Sequence, residues 1–333
     1  MNRRDILASS AALAIAALGT TRANADTAPP PPDDPLNPAG IRMAGVKMIP
    51  VRSGRYKVWT KTIGDGPVKV LLLHGGPGAG HDYLEAMESF LPQAGIQMIY
   101  YDQLGCGNSD RPDDPALWTL PAYVDEVEDV RRGLGLDRFV LYGHSWGGIL
   151  AIDYALKYQD RLRGMVISNM TAGMKSFQRR TNALKNTLLA PASQARLNAL
   201  ERKGAFDSPE YQQIVMGLLY PKMLCRLDPW PEPLLRSFRN LNGQIYETMQ
   251  GKSEFLVTGN LKDWERWDQL LKIRTKTLTI GAAHDEMDPA DMILMAQLMP
   301  DAQSVICPTG SHMCMWDDQA FYFERLVSWL LQS

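Results

Sequence analysis

Phe139-Val140-Leu141-Tyr142-Gly143-His144-Ser145-Trp146-Gly147-Gly148-Ile149 is the stretch on which the fold turns. Four apolar residues suited to a buried strand run into Gly-x-Ser-x-Gly, and the residues from Ile149 to Tyr158 continue as a helix. A serine between such a strand and helix sits on a sharp, strained turn that lifts its hydroxyl above the sheet. Small flanking residues let the two elements approach. The bare pentapeptide arises by chance in many chains; its strand-to-helix setting makes Ser145 a candidate nucleophile.

The same alternation extends outward. Strands are expected at Val68–His74, Gln97–Asp102, Arg138–Gly143, Leu162–Ser168, Thr277–Gly281 and Gln303–Ile306, each apolar without clean alternation, as strands buried on both faces are. Helical patterns lie between them at Asp82–Leu91, Leu120–Gly133, Trp146–Tyr158, Pro289–Met299 and Asp317–Leu331. This predicts an α/β fold: a doubly wound, mostly parallel sheet covered on both faces. From about Thr171 to Asn260 no strand is expected, while Leu184, Leu188, Leu197, Leu200, Ile214, Leu218 and Leu219 recur at helical spacing. Pro221, Pro229, Pro231 and Pro233 would break that stretch into short helices. We therefore expect a core of residues 44–170 and 261–333, with a helical cap of residues 171–260 inserted in it.

A serine hydroxyl needs a base to take its proton and a carboxylate to orient that base. In the α/β-hydrolase arrangement the acid and then the histidine follow the serine in the chain. Of five histidines, His74 and His81 precede Ser145, His144 adjoins it, and His284 stands where the acid belongs; His312, after the last strand, remains as the base. The loop after Thr277–Gly281 offers Asp285, Glu286, Asp288 and Asp291. Asp285 is preferred as the acid, with Asp288 second because its place before Pro289 suits a helix cap. An oxyanion intermediate needs two N–H donors. Trp146 supplies one, and His74-Gly75-Gly76-Pro77-Gly78, after an early strand, supplies the other at Gly76.

The remaining features bound the setting. With 333 residues, 45% hydrophobic and a formal charge of −2, the chain can bury a large core, and the charge argues against a nucleic-acid partner. Arg3-Arg4, an apolar run from Ile6 to Gly19 and Ala23-Asn24-Ala25 read as a twin-arginine signal cleaved after residue 25, hence a periplasmic or secreted protein. The apolar run is too short for a membrane span. Residues 26–43, rich in Pro and Asp, read as a linker. Cys106, Cys225, Cys307 and Cys314 make no disulfide framework and are expected as free, largely buried thiols. No metal-ligand spacing or cofactor loop is present, so neither a metal nor a cofactor is expected.

With these residues in place, the chain resembles the prolyl iminopeptidase family of α/β-hydrolases, which includes the tricorn-interacting aminopeptidases. The likeness is carried by His74-Gly75-Gly76-Pro77-Gly78 with His81-Asp82-Tyr83, by Tyr101-Asp102-Gln103-Leu104-Gly105-Cys106-Gly107, and by Gly143 to Gly148. It continues in Lys262-Asp263-Trp264, the loop around Asp285-Glu286, and Ser311-His312 with Met315-Trp316. The resemblance implies a serine aminopeptidase that removes an N-terminal proline or small apolar residue from short peptides through an acyl-enzyme. Relatives with these motifs also act as amino-acid amidases or as esterases and lactonases. It further implies that Glu254 and Glu286 pair with the free ammonium group of the peptide or amino-acid amide.

Overall fold

A computed structural model describes residues 43–333. The expected export signal, and all of the expected linker but Met43, lie outside the described residues.

Eight strands form one sheet in the order β1-β2-β4-β3-β5-β6-β7-β8. They are β1 (Val46–Val51), β2 (Tyr56–Ile63), β3 (Val68–Leu73), β4 (Ile96–Tyr101), β5 (Phe139–His144), β6 (Leu162–Ser168), β7 (Thr277–Ala282) and β8 (Ala302–Cys307). From β4 to β8 neighbours are parallel, whereas β2 is antiparallel to both β1 and β4. β3 shows why such strands lack alternation: Leu71 and Leu73 pack into one core and Val70 and Leu72 into the other. The six strands expected from sequence are present with ends within a residue. The β1–β2 hairpin was not singled out, because Lys47, Pro50, Lys57 and Lys61 interrupt its apolar pattern and it forms a half-buried edge. Its turn holds Arg52, Ser53 and Gly54 at φ 54°, 59° and 81°.

Helices α1 (Leu120–Gly133) and α2 (Trp146–Tyr158) pack on the core that contains Leu71. The segment expected as a helix at Asp82–Leu91 is instead a 3₁₀ run, Asp82–Ser89, on the opposite face. Between β6 and β7 come α3 (Met174–Leu188), α4 (Pro191–Arg202), α5 (Pro209–Ile214), α6 (Tyr220–Met223), α7 (Glu232–Asn240) and α8 (Gly243–Met249). Pro191, Pro209, Pro221 and Pro233 all occupy the first turn of a helix, where the missing N–H costs nothing. The entrance and exit of this helical insertion lie side by side. Met174 N donates to Trp264 O at 3.0 Å, Arg266 N to Ala172 O at 2.7 Å, and Gly173 bridges Glu265. A Cβ on Gly173 would fall 2.2 Å from Glu265 Oε2, so any larger residue in the neck would have to displace that side chain.

Two further links fasten the insertion to the core. Asn242 N donates to Gly78 O at 2.8 Å and Asn242 Nδ2 to Gly105 O at 2.9 Å, docking α8 on the loops after β3 and β4. Arg236 of α7 reaches Asp82 at 2.7 Å and also Glu85. After β7 the chain forms α9 (Pro289–Leu298), and after β8 it forms α10 (Cys314–Asp317) and α11 (Gln319–Gln332). The four cysteines are buried and free.

Candidate active site

β5 delivers Ser145 to the upper edge of the sheet. Ser145 has φ 55° and ψ −127°, a region non-glycine residues rarely occupy, and its N–H donates to Ser168 O of β6 at 3.0 Å. Glycine is needed on both sides for steric reasons. A Cβ on Gly143 would meet Gly147 O at 2.1 Å, and one on Gly147 would meet Leu73 O at 2.2 Å.

The acid and the base meet below this turn. His312 Nδ1 lies 2.9 Å from Asp285 Oδ1, and both residues are buried. Asp285 Oδ1 also accepts from Met287 N at 3.0 Å, and Oδ2 accepts from Asn169 Nδ2 at 2.7 Å. Asp288 does not approach His312; its side chain caps α9 by accepting from Ala290 N. The choice left open between the two aspartates thus falls to Asp285 on geometry. His312 is further held by the insertion, its N–H donating to Met223 O at 3.0 Å.

The donor loop is braced from several sides. Gly75 N donates to Tyr83 Oη at 2.6 Å, Tyr83 Oη lies 3.0 Å from His144 Nδ1, and His144 Nε2 lies 2.9 Å from His312 O. One consistent pattern has the tyrosine donating to Nδ1 and Nε2–H donating to the carbonyl, which needs a neutral ring. Burial holds His144 well below the ordinary histidine value, in agreement. His144 therefore ties the loop of the base to the glycine loop. Gln103 does similar work: its N–H donates to His74 Nε2 at 3.1 Å, its Nε2 to His74 O at 3.0 Å, and its Oε1 accepts from Trp146 Nε1 at 2.8 Å. Gly76, at φ 114°, and Trp146 consequently flank Ser145 with their backbones fixed.

A cavity of about 250 Å³ opens onto these groups, lined by Ser145, His312, Glu254 and Glu286 together with apolar residues such as Tyr220 and Phe238. Behind Ser145 lies a recess of about 20 Å³ between Trp146, Met174, Phe177, Met287 and Glu254. Tyr246 Oη donates to Glu254 Oε2. Glu286 Oε1 is 3.6 Å from His312 Nε2, and its Oε2, buried, has no partner among the described residues. Burial drives both glutamates above the ordinary carboxylate range, Glu286 strongly. For His312 burial acts downward, but Asp285, Glu286 and Glu254 outweigh it and raise the ring to about 9.

Of the residues proposed from sequence, Gly76, Ser145, Glu254, Glu286 and His312 line the larger cavity, Trp146 lines the recess, and Asp285 joins them through its bond to His312. Asn169, Gln103, Tyr83 and Tyr246 were missed. Gln103 and Tyr83 sit inside the quoted motifs, whereas Asn169 had only one weak signal, an asparagine at a strand end, where its φ of 54° is tolerated. His81, Asp82 and Glu85 offer metal-capable atoms within 4.8 Å of one another. Asp102 bonds to His81, and Arg236 to the two carboxylates, so the cluster reads as an ion-pair network.

Residues 69–319 match the family model described as alpha/beta hydrolase fold. A proline iminopeptidase of Chitinophaga pinensis is 44% identical over 290 residues, covering 85% of this chain and 97% of that one. The chain belongs to the proline iminopeptidase family of α/β-hydrolases. Among solved structures, VinJ superposes with a TM-score of 0.81 at 34% identity, and the proline iminopeptidase of Mycobacterium smegmatis with 0.79 at 29%. Each comparison covers 86% of this chain and 98% of the other. The likeness therefore spans both the sheet and the inserted helices.

Proposed function

We propose that this chain is a serine aminopeptidase that releases N-terminal proline, from short peptides and from proline amides. The observation that carries the reading is the sharing of one cavity by Ser145 and His312, which break the bond, and by Glu254 and Glu286, which suit a cation. In a water-poor pocket a substrate ammonium needs such compensation. Ser145 Oγ attacks the carbonyl carbon while His312 Nε2 accepts its proton, and Asp285 steadies the imidazolium formed. The oxyanion is held by the N–H groups of Gly76 and Trp146. Collapse breaks the C–N bond, His312 returns its proton to the leaving amine, and a prolyl ester remains on Ser145. Water, deprotonated by His312, then hydrolyses that ester and frees Ser145.

The recess of about 20 Å³ holds little more than one water and cannot receive a prolyl ring, so the first residue belongs in the larger cavity, beside Glu254 and Glu286. Glu254 and Glu286 restrict cleavage to the first bond, because an internal residue has no ammonium to give them. Proline p-nitroanilide should be hydrolysed about 100-fold or more faster than its N-acetyl form, as expected when buried charges lose their partner. Equal release of p-nitroaniline from both would sink the reading.

Twin-arginine export is part of this proposal and rests on Arg3-Arg4 and Ala23-Asn24-Ala25. With both arginines changed to lysine, activity should shift from the periplasmic to the cytoplasmic fraction of expressing cells. An unchanged distribution would refute it.

A further inference from the structure

His312 Nε2 is the atom that must accept the proton of Ser145, yet in the substrate-free site its charged neighbour is Glu286 Oε1, 3.6 Å away. No hydrogen bond joins it to Ser145 Oγ among the described residues. Glu286 is only 1% exposed, and its other oxygen is buried without a donor. A buried carboxylate oxygen left unpaired is costly and calls for a donor from whatever enters the cavity. Glu254 differs, because Tyr246 already donates to it.

We propose that Glu286 and Ser145 compete for His312, so that the imidazolium stays paired with Glu286 until a substrate ammonium takes that carboxylate and frees the ring to act as base. The inference rests on the aminopeptidase reading and adds to it: the free N-terminus becomes the signal that arms the serine as well as the feature recognised. The proton carried by the imidazolium leaves to solvent when the ammonium arrives, so one positive charge replaces another and no net charge is added to a buried site.

The surrounding groups set the sign. Asp285 faces Nδ1, Glu286 faces Nε2, and Glu254 joins them across the cavity. Arg180 of α3 donates to the Asp285 carbonyl at 3.3 Å, Lys252 stands exposed at the cavity wall, and His144 beneath is neutral. Tyr83, Tyr220 and Tyr246 are driven upward by burial and stay protonated. Burial favours a neutral His312 and pushes Glu286 strongly upward, a push the cation on His312 opposes across 3.6 Å; facing Asp285, Glu286 and Glu254, the ring stays charged to about pH 9. A group raised in this way loses its proton only as the pH climbs through that value. An ammonium paired with Glu286 offsets the upward pull, and the ring returns toward the ordinary histidine value of about 6.5.

The test uses a neutral fluorophosphonate, which reacts with Ser145 only when His312 is unprotonated and carries no ammonium of its own. Labelling of the substrate-free enzyme should rise about tenfold per pH unit between about 6 and 8, following the neutral fraction of the ring. Glu286→Gln should label about tenfold or more faster than wild type at pH 7 with a lower pH midpoint, while its turnover of proline p-nitroanilide falls. A Glu286 that merely binds substrate would leave labelling unchanged, and that result overturns the proposal. The second measurement needs no change at Glu286: L-proline is titrated into Ser145→Ala at pH 8 in buffers of different ionisation enthalpy. Release of close to one proton, with the His312 ring passing from charged to neutral by NMR, supports the coupling; binding with the ring still charged overturns it and leaves the aminopeptidase reading standing, whereas failure of L-proline to bind at all counts against both.

Discussion

Ser145→Ala should lower kcat on proline p-nitroanilide by about 10⁴- to 10⁶-fold while KM changes little, because the hydroxyl forms its decisive bond only in the transition state. What survives would come from the backbone donors at Gly76 and Trp146 and from binding. The backbone at this position makes a second observable. Ser145 pays for its φ of 55° in conformational strain, and alanine inherits that strain whereas glycine does not. Ser145→Gly should therefore be equally inactive yet more stable than Ser145→Ala, measured by thermal unfolding. Retention of more than about 1% of wild-type kcat by either variant would remove Ser145 from the nucleophile's role.

Asp285→Asn should cost about 10⁴-fold in kcat, with the fold intact. The carboxylate serves three donors: the His312 ring and Met287 N at Oδ1, and Asn169 at Oδ2. An amide has only one acceptor edge. If its oxygen faces His312, its NH₂ confronts the NH₂ of Asn169. If it turns over, His312 must carry its proton on Nε2, the nitrogen required to accept one from Ser145. The first orientation sets two donors against each other and the second leaves the base in the wrong tautomer, so neither restores the wild-type array. Asp288→Asn is the matching control, since asparagine caps a helix as well as aspartate and activity should stay near wild type. A severe loss at Asp288 with little at Asp285 would reverse the assignment.

How much of this could be read from the chain follows from where the physics is local. The elbow was legible because a strand, a glycine-flanked serine and a helix are contiguous in sequence, and a positive φ at the serine demands small neighbours. The order of acid and base followed from the chain order of the α/β-hydrolase arrangement, and the parallel placing of β7 and β8 beyond β6 is its physical ground. Asn169 was not legible, because its service to Asp285 depends on β6 and β7 pairing in parallel register, with Ser168 opposite Ile280. The β1–β2 hairpin escaped for a different reason, since Lys47, Pro50, Lys57 and Lys61 break its apolar residues irregularly and leave no clear period of two. The pairing of Glu286 with His312 also lay beyond sequence, because adjacency to Asp285 does not say which way a side chain turns.

The neck at Ala172–Met174 and Trp264–Arg266 carries a consequence for how this enzyme can diversify. Because the two ends of the inserted helices are joined to each other by hydrogen bonds, everything between them is a closed loop whose ends are already together. Lengthening such a loop raises its closure entropy only slowly, by about 0.6 kcal/mol per doubling. What hangs from the joint meets the core again at Gly78, Gly105, Asp82 and His312, contacts that a replacement must supply anew. A lineage that exchanges, shortens or recombines that cassette and keeps the brace on His312 can present Ser145 with a new clientele while the sheet that carries it is inherited.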